Sequence, residues 1–205
     1  GEQGAQHSQA LHAWFAHVPG LRVVMPTTVA DARDLLIASV LCNDPVMYID
    51  DRWLYDQEDE LPPVVELDLA TQRPVVSITG GDITIVASGH ASLLAREAAQ
   101  QLENENVSVE VVDVRVLNPF HAEEIIESVK KTKNLLVVDS GWISGGFSAE
   151  VIAKVVEQLP VDCLSNPPVR VALPDAPAPT SRVLEKAYYT STDDVVKAVK
   201  KILNS

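Results

Sequence analysis

Residues 4–28, GAQHSQALHAWFAHVPGLRVVMPTT, decide how the rest of the chain is read. Leu11, Trp14, Phe15 and Val18 recur at i, i+3, i+4 and i+7, the spacing of one buried helical face. Ser8 stands where a hydroxyl can cap the orphan amides of a helix start, which puts His7 at a helix mouth among outward-pointing backbone donors. His17-Val18-Pro19-Gly20 ends that helix, and Leu21-Arg22-Val23-Val24-Met25, closed by Pro26, reads as a short buried strand. Helix then strand is half of an α/β unit.

The pattern continues outward from there. Thr27 or Thr28 can cap a second helix, with Asp31 in its first turn where negative charge favours the dipole, and Leu35, Leu36, Ser39 and Val40 are expected to face inward. Pro45 to Ile49 reads as the next strand. Asp50-Asp51-Arg52 lies just beyond its carboxyl end, where α/β sheets gather their ligands, although charges there are also the ordinary solvated rim of a strand. From Asp56 to Pro74 the chain is acidic and proline-containing without helical period, which predicts an interdomain linker. Past the Gly80-Gly81-Asp82 turn, strands and helices alternate again: strand Ile83–Ala87, helix Ser92–Asn104, strand Val107–Val112, helix Ala122–Lys131, strand Leu135–Val138 and helix Phe147–Leu159. Val169-Arg170-Val171 is a short strand within a proline-rich loop, and Val195, Val199, Ile202 and Leu203 stripe a closing helix. Short strands that are apolar throughout are buried on both faces, so the fold class is α/β with a mostly parallel sheet flanked by helices. The domains fall at 1–55 and 81–205, with 56–80 as linker.

Composition narrows the functions. A chain of 205 residues with 46% hydrophobic content can build one large or two small cores, and it contains no apolar run of membrane-spanning length. A formal net charge of −13 argues against a nucleic-acid or anionic-membrane partner, because the chain would repel the phosphates it approached. Cys42 and Cys163 have no metal-type spacing, which fits reduced, intracellular residence. No charged-then-apolar leader follows Gly1. No metal ligands are expected on this chain: Gly80-Gly81-Asp82 has the wrong order for a Gly-Asp-Gly magnesium motif, and no phosphate-loop or dinucleotide fingerprint is present.

Among the titratable residues, His7 is the catalytic candidate, since imidazole exchanges protons near neutral pH and can face an anionic group. His17 reads as structural in a last helical turn, His12 falls on the polar side of its helix, and His90 and His121 precede helices where capping or solvent exposure is the ordinary role. The glycine-rich Gly141-Trp142-Ile143-Ser144-Gly145-Gly146-Phe147 turn joins a strand to a helix, a geometry able to cradle phosphate through backbone amides.

The His7-Ser8-Gln9 triplet, the Phe15-Ala16-His17-Val18-Pro19-Gly20-Leu21 turn and the Asn43-Asp44-Pro45-Val46 run, in this order and spacing, resemble the beta subunits of thiamine-diphosphate-dependent 2-oxo acid dehydrogenases of the pyruvate dehydrogenase type. The resemblance covers essentially every residue. It implies part of a transketolase-type pyrimidine-binding domain followed by a transketolase C-terminal-like domain, in a chain that looks truncated ahead of the glutamate that activates the cofactor. It also implies oxidative decarboxylation of pyruvate or a related 2-oxo acid with acyl transfer to lipoyl groups, His7 acting near the cofactor's reactive carbon. The thiamine diphosphate and magnesium would be held mainly by a partner alpha subunit, and some members hold a potassium ion through carbonyls around Ser39 to Asp44. Further implied partners are a dihydrolipoyl acyltransferase core and a second beta chain, with Trp142 and Phe147 as interface anchors or, nearly as readily, core residues. The compartment would be the cytoplasm, or the mitochondrial matrix in a eukaryote. The alternatives are a non-catalytic assembly module and a transketolase-like enzyme acting on sugar phosphates, which the His-Ser-Gln and Asn-Asp-Pro motifs fit less well.

Overall fold

In the computed structural model, which describes residues 3–204, the strands gather into two sheets. The outermost residues of the two expected domains, Gly1, Glu2 and Ser205, lie outside the described residues. The chain opens with α1 (Gly4–His7), α2 (His12–Ala16), β1 (Arg22–Val24), α3 (Val29–Leu41) and β2 (Val46–Tyr48), followed by a 3-10 turn at Arg52–Leu54. It continues through β3 (Val75–Ile78), β4 (Ile83–Ala87), α4 (His90–Glu103), β5 (Val109–Asp113), β6 (Val116–Asn118), α5 (Glu123–Thr132) and β7 (Leu135–Trp142). It closes with α6 (Phe147–Gln158), β8 (Val169–Leu173), α7 (Arg182–Tyr188) and α8 (Thr192–Leu203).

The larger sheet has strand order β3-β5-β4-β7-β8. Its β4, β5, β7 and β8 run parallel and β3 is added antiparallel on one edge. Successive side chains of a strand face opposite sides, so Ile83, Ile85 and Ala87 pack in one cluster with α4 and α8 while Val86 packs in the other with α5 and α6. Thr84, on the α5 side, is satisfied by the Ser128 and Thr132 hydroxyls, each at 2.7 Å. Ser191 caps α8 reciprocally with Asp194, and the apolar stripe Val195, Val199 and Ile202 of that helix is buried against the sheet.

The smaller sheet has order β2-β1-β6, with β2 parallel to β1 and β6 antiparallel to it. Its third strand comes from the far side of the linker. Val23 and Met25 accordingly share a buried cluster with Val86, Val112 and Phe147, so one core runs across the seam between the two sheets.

Several expectations are corrected. The stretch expected as a linker to residue 80 contains β3, an exposed edge strand with no apolar-polar alternation to reveal it. The first helix is two short pieces: α1 ends at His7, Ser8 follows it with its N–H on Gly4 O at 3.0 Å, and α2 begins only at His12. Ser8 is therefore not the N-cap of the apolar helix, and the inward face is shifted by one position. Ala13, Phe15 and Ala16 pack on the core with His12 buried beside them, while Trp14 is 68% exposed and Val18 also points outward. In α3 the buried residues are Asp34, Leu35 and Ala38, whereas Leu36 and Val40 face out. The Thr28 cap holds as expected, accepting from the Asp31 amide at 3.1 Å.

Candidate functional site

The carboxyl ends of strands from both sheets converge on one cleft of about 730 Å³. Met25 beyond β1, Ile49 and Asp50 beyond β2, Val138 and Ser140 of β7 and Leu173 of β8 all reach it, which is where an α/β topology leaves a crevice. His7, at the end of α1, and Ser8 and Gln9, which follow it, also line the cleft. The imidazole proposed from sequence is thus exposed at the cleft, in the last turn of a short helix rather than at the mouth of a long one.

Part of the lining is aromatic. Trp53 of the 3-10 turn stacks on His90 with ring centroids 5.2 Å apart and meets Tyr189 edge-on at 6.0 Å. Asp51 caps that turn by accepting from the Trp53 amide at 3.1 Å, and this fixes where the indole leaves the backbone. Gly89, with φ of 53°, lets the chain bend from β4 into α4 directly against Met25, and so delivers His90 to the wall. Burial lowers the pKa of His90 against the opposing pull of Asp51 and Glu97. Asp50 accepts from the Tyr55 hydroxyl at 2.5 Å and Arg52 donates to Gln3 Oε1 at 3.1 Å. The Asp-Asp-Arg run beyond β2 is therefore part of the cleft rather than only a solvated rim.

The glycine-rich turn has a different occupant from phosphate. Asp139 of β7 accepts from the Gly141 and Ser148 amides, each at 2.8 Å, so the chain's own carboxylate fills the start of α6. Its other partner is His12, whose Nε2 lies 2.9 Å from Asp139 Oδ1 with both side chains nearly excluded from solvent. Burial pushes the Asp139 carboxyl up, but the His12 hydrogen bond and the two amides outweigh it and hold it below the usual carboxylate range. His12, expected on a polar face, is thus a buried partner of a residue 127 positions away.

Trp142 and Phe147 are engaged within the chain. Phe147 is buried, at 7% exposure, and lies edge-on to His12 and Phe120. Trp142 Nε1 donates to Ala176 O and to the Tyr188 hydroxyl, both at 2.9 Å. His121 bonds Ala70 O at 3.1 Å, outside the cleft, and His17 is exposed at the end of α2. Sequence reasoning missed Trp53, His90 and Tyr189; the available signal was position alone, since Trp53 and His90 both follow the carboxyl ends of strands.

Comparison with known proteins fits this geometry. The model of the transketolase C-terminal domain matches residues 74–195 and that of the transketolase pyrimidine binding domain matches residues 1–57. The chain belongs to the transketolase C-terminal domain family. Its relatives include the pyruvate dehydrogenase E1 component subunit beta of Rhizobium meliloti, 37% identical over 97% of this chain and 43% of that protein. The mitochondrial pyruvate dehydrogenase E1 beta subunit of Caenorhabditis elegans is 39% identical over 98% of this chain and 58% of its own length. The human mitochondrial one is 34% identical over 98% and 56%. The chain therefore spans about half the length of these relatives. A solved structure described as a split gene transketolase, inactive beta4 tetramer, superposes with a TM-score of 0.74 at 27% identity, covering 94% of this chain and 60% of that one. The α/β transketolase-type architecture and the likeness to dehydrogenase beta subunits, both read from the residues, are borne out. No helix among the described residues is long and apolar enough to cross a membrane.

Proposed function

We propose that this chain belongs to the beta subunit of a thiamine-diphosphate-dependent 2-oxo acid dehydrogenase, which decarboxylates pyruvate or a related 2-oxo acid oxidatively and passes the acyl group to a lipoyl group. The observation that carries this reading is that His7 lines the cleft where the strand ends of both sheets converge. The named relatives, which match nearly the whole chain, support it from the side of sequence.

The residues on this chain suit one end of the cofactor only. Among the described residues no group of three or more His, Cys, Asp or Glu side chains is placed to hold a metal ion. In the cleft Asp50, Asp51 and Glu97 outweigh Arg52, so a magnesium diphosphate would meet net negative charge. The aromatic wall of Trp53, His90 and Tyr189 suits an uncharged ring instead, and leaves the diphosphate and magnesium to an alpha subunit. When bound, thiamine diphosphate supplies the electron sink that decarboxylation needs. His7 then orients the substrate carboxylate and carries a proton at its imidazole during acyl transfer. The same reading includes a lipoyl acyltransferase core and a second beta chain as partners, a potassium ion in those members that use one, and residence in the cytoplasm or the mitochondrial matrix.

The test is to purify the full-length protein from its source with its bound partners, identify them by mass spectrometry, and assay the complex with candidate 2-oxo acids. A companion subunit bearing Gly-Asp-Gly and a lipoyl acyltransferase are expected. His7→Ala should lower turnover by roughly a hundredfold or more, the scale of a lost acid-base group. Recovery of the chain only with itself, or turnover indifferent to His7→Ala, overturns the reading.

A further inference from the structure

The segment that carries His7 is held by the distant half of the molecule. Tyr189 Oη donates to Ser8 O at 2.5 Å, and the Ala178 amide donates to Gln9 Oε1 at 3.1 Å. His12 Nε2 bonds Asp139 at 2.9 Å. Gly4, with φ of 64°, lies so close to Thr180 that an added Cβ would come within 2.6 Å of its methyl group. All four partners follow β6 in the chain and lie between residues 139 and 189.

The anchor is rigid and the imidazole is keyed to it. Asp139 is fixed by the two amides of its own strand-to-helix turn, so its free bonding direction is set before His12 arrives. Gly141 permits the approach: a Cβ there would lie 3.2 Å from His12 Cε1 and 3.2 Å from Asp139 Oδ1. Asp139 is held as a carboxylate and can only accept, so the His12 nitrogen that faces it, Nε2, is the one that donates. The bond from its Nε2 to the Asp139 carboxylate is a directed contact that an apolar side chain of similar size could not make.

We propose that His12 and Tyr189 are positioning residues: anchored on Asp139 and donated to Ser8, they lock the 4–12 segment to the C-terminal half and thereby set His7 in the cleft. Ser8 is pinned through its carbonyl, and adjacent Cα atoms are about 3.8 Å apart, so the backbone of His7 has little freedom left. Placement of a reacting group matters on this scale, since a displacement of about 1 Å can cost about a hundredfold in rate. The consequence for turnover rests on the function proposed above; the mechanical lock does not.

The lock is tested in the full-length protein and its complex with Tyr189→Phe, His12→Leu and His12→Gln. Tyr189→Phe removes only the hydroxyl and keeps the ring against Trp53 and Tyr188. His12→Gln retains an N–H donor for Asp139, whereas His12→Leu does not. Tyr189→Phe and His12→Leu should raise amide hydrogen exchange across residues 4–12 by about tenfold or more with β4 and β5 still protected, and His12→Gln should largely restore protection. In the complex kcat should fall by about tenfold in the first two variants with little change in KM, and recover in the third. Unchanged exchange in both Tyr189→Phe and His12→Leu overturns the lock. Loosened exchange with normal kcat, in an enzyme that His7→Ala disables, overturns the positioning role while leaving the function intact. If His7→Ala is itself without effect, it is the function that fails, and exchange alone decides the lock.

Discussion

The two sheets are made from similar apolar strands and end in opposite conditions. In the larger one β4 and β5 are buried at every residue, because helices of the same chain cover both faces and neighbouring strands cover both edges. In the smaller one β2 is half-exposed along its whole length and is an edge strand. The helix beside it, α3, turns Leu36, Val40 and Leu41 to solvent at 48%, 76% and 66% exposure. A sheet that closes its own core advertises its fold; a sheet that shares its core across a seam and leaves one flank bare is only half specified by its own residues. The functional cleft lies between the two, with His7 on the less complete side and its clamps on the more complete one.

The sharpest way to break this comparison is to cut both cores alike. Ile85→Ala, in the doubly covered sheet where Ile85 is fully buried, should cost about 3 kcal/mol of global stability in denaturant titrations. Leu35→Ala removes an equally buried side chain from the small cluster under α3, and should appear chiefly as faster amide exchange in α3 with a smaller shift of the global transition. Equal global losses would show that the two regions unfold as one unit and that the difference in coverage has no energetic meaning.

Legibility follows the same division. Strand β4 lies at the residues its apolar run predicts, and α6 within one residue of its predicted end, because a strand buried on both faces and a helix striped toward it carry local signals. The three-residue β6 and the exposed β3 carry none, since their places are set by pairing with β1 and β5. The phase of α2 was misread because Trp14 and Val18 imitate a buried stripe, while the burial of His12 depends on Asp139, far beyond any local window. His7 stands out through its motif, but the aromatic wall that lines the same cleft is assembled from three separated segments.

The seam itself can be probed through Asp113, which is buried at the end of β5 and accepts from Thr27 at 2.9 Å and from Ser92 at 2.7 Å, so joining the two regions. Burial raises its pKa from 3.8 to about 6, the two hydroxyls offsetting only part of the effect. Between those values the folded state keeps a proton that the unfolded chain has released, so stability falls as pH rises through the window and the loss is complete above it. Asp113→Asn keeps an acceptor for both hydroxyls and removes the charge. It should be more stable than the parent by on the order of 2 kcal/mol at pH 7.5, and close to it at pH 4, by denaturant midpoint. An equal gain at both pH values would mean that the seam does not disfavour the ionised carboxylate.

The smallest effect on stability carries the most information about the bare flank. Leu36 and Val40 are one helical turn apart, so their exposed side chains form a single ridge on α3 beside the open edge of β2. Lysine at position 40 would keep its ammonium in water along that ridge, and Val40→Lys should change stability by no more than about 0.5 kcal/mol. If the ridge and edge are where a second copy of this chain seats, one lysine per ridge puts unpaired charge into the contact, and sedimentation over a concentration series should shift the variant toward monomer relative to the parent. Unaltered association would place the self-contact elsewhere. The exposed ridge would then be a local consequence of where α3 ends, and the contrast between the two sheets would reflect only how many neighbours each was given by its own chain.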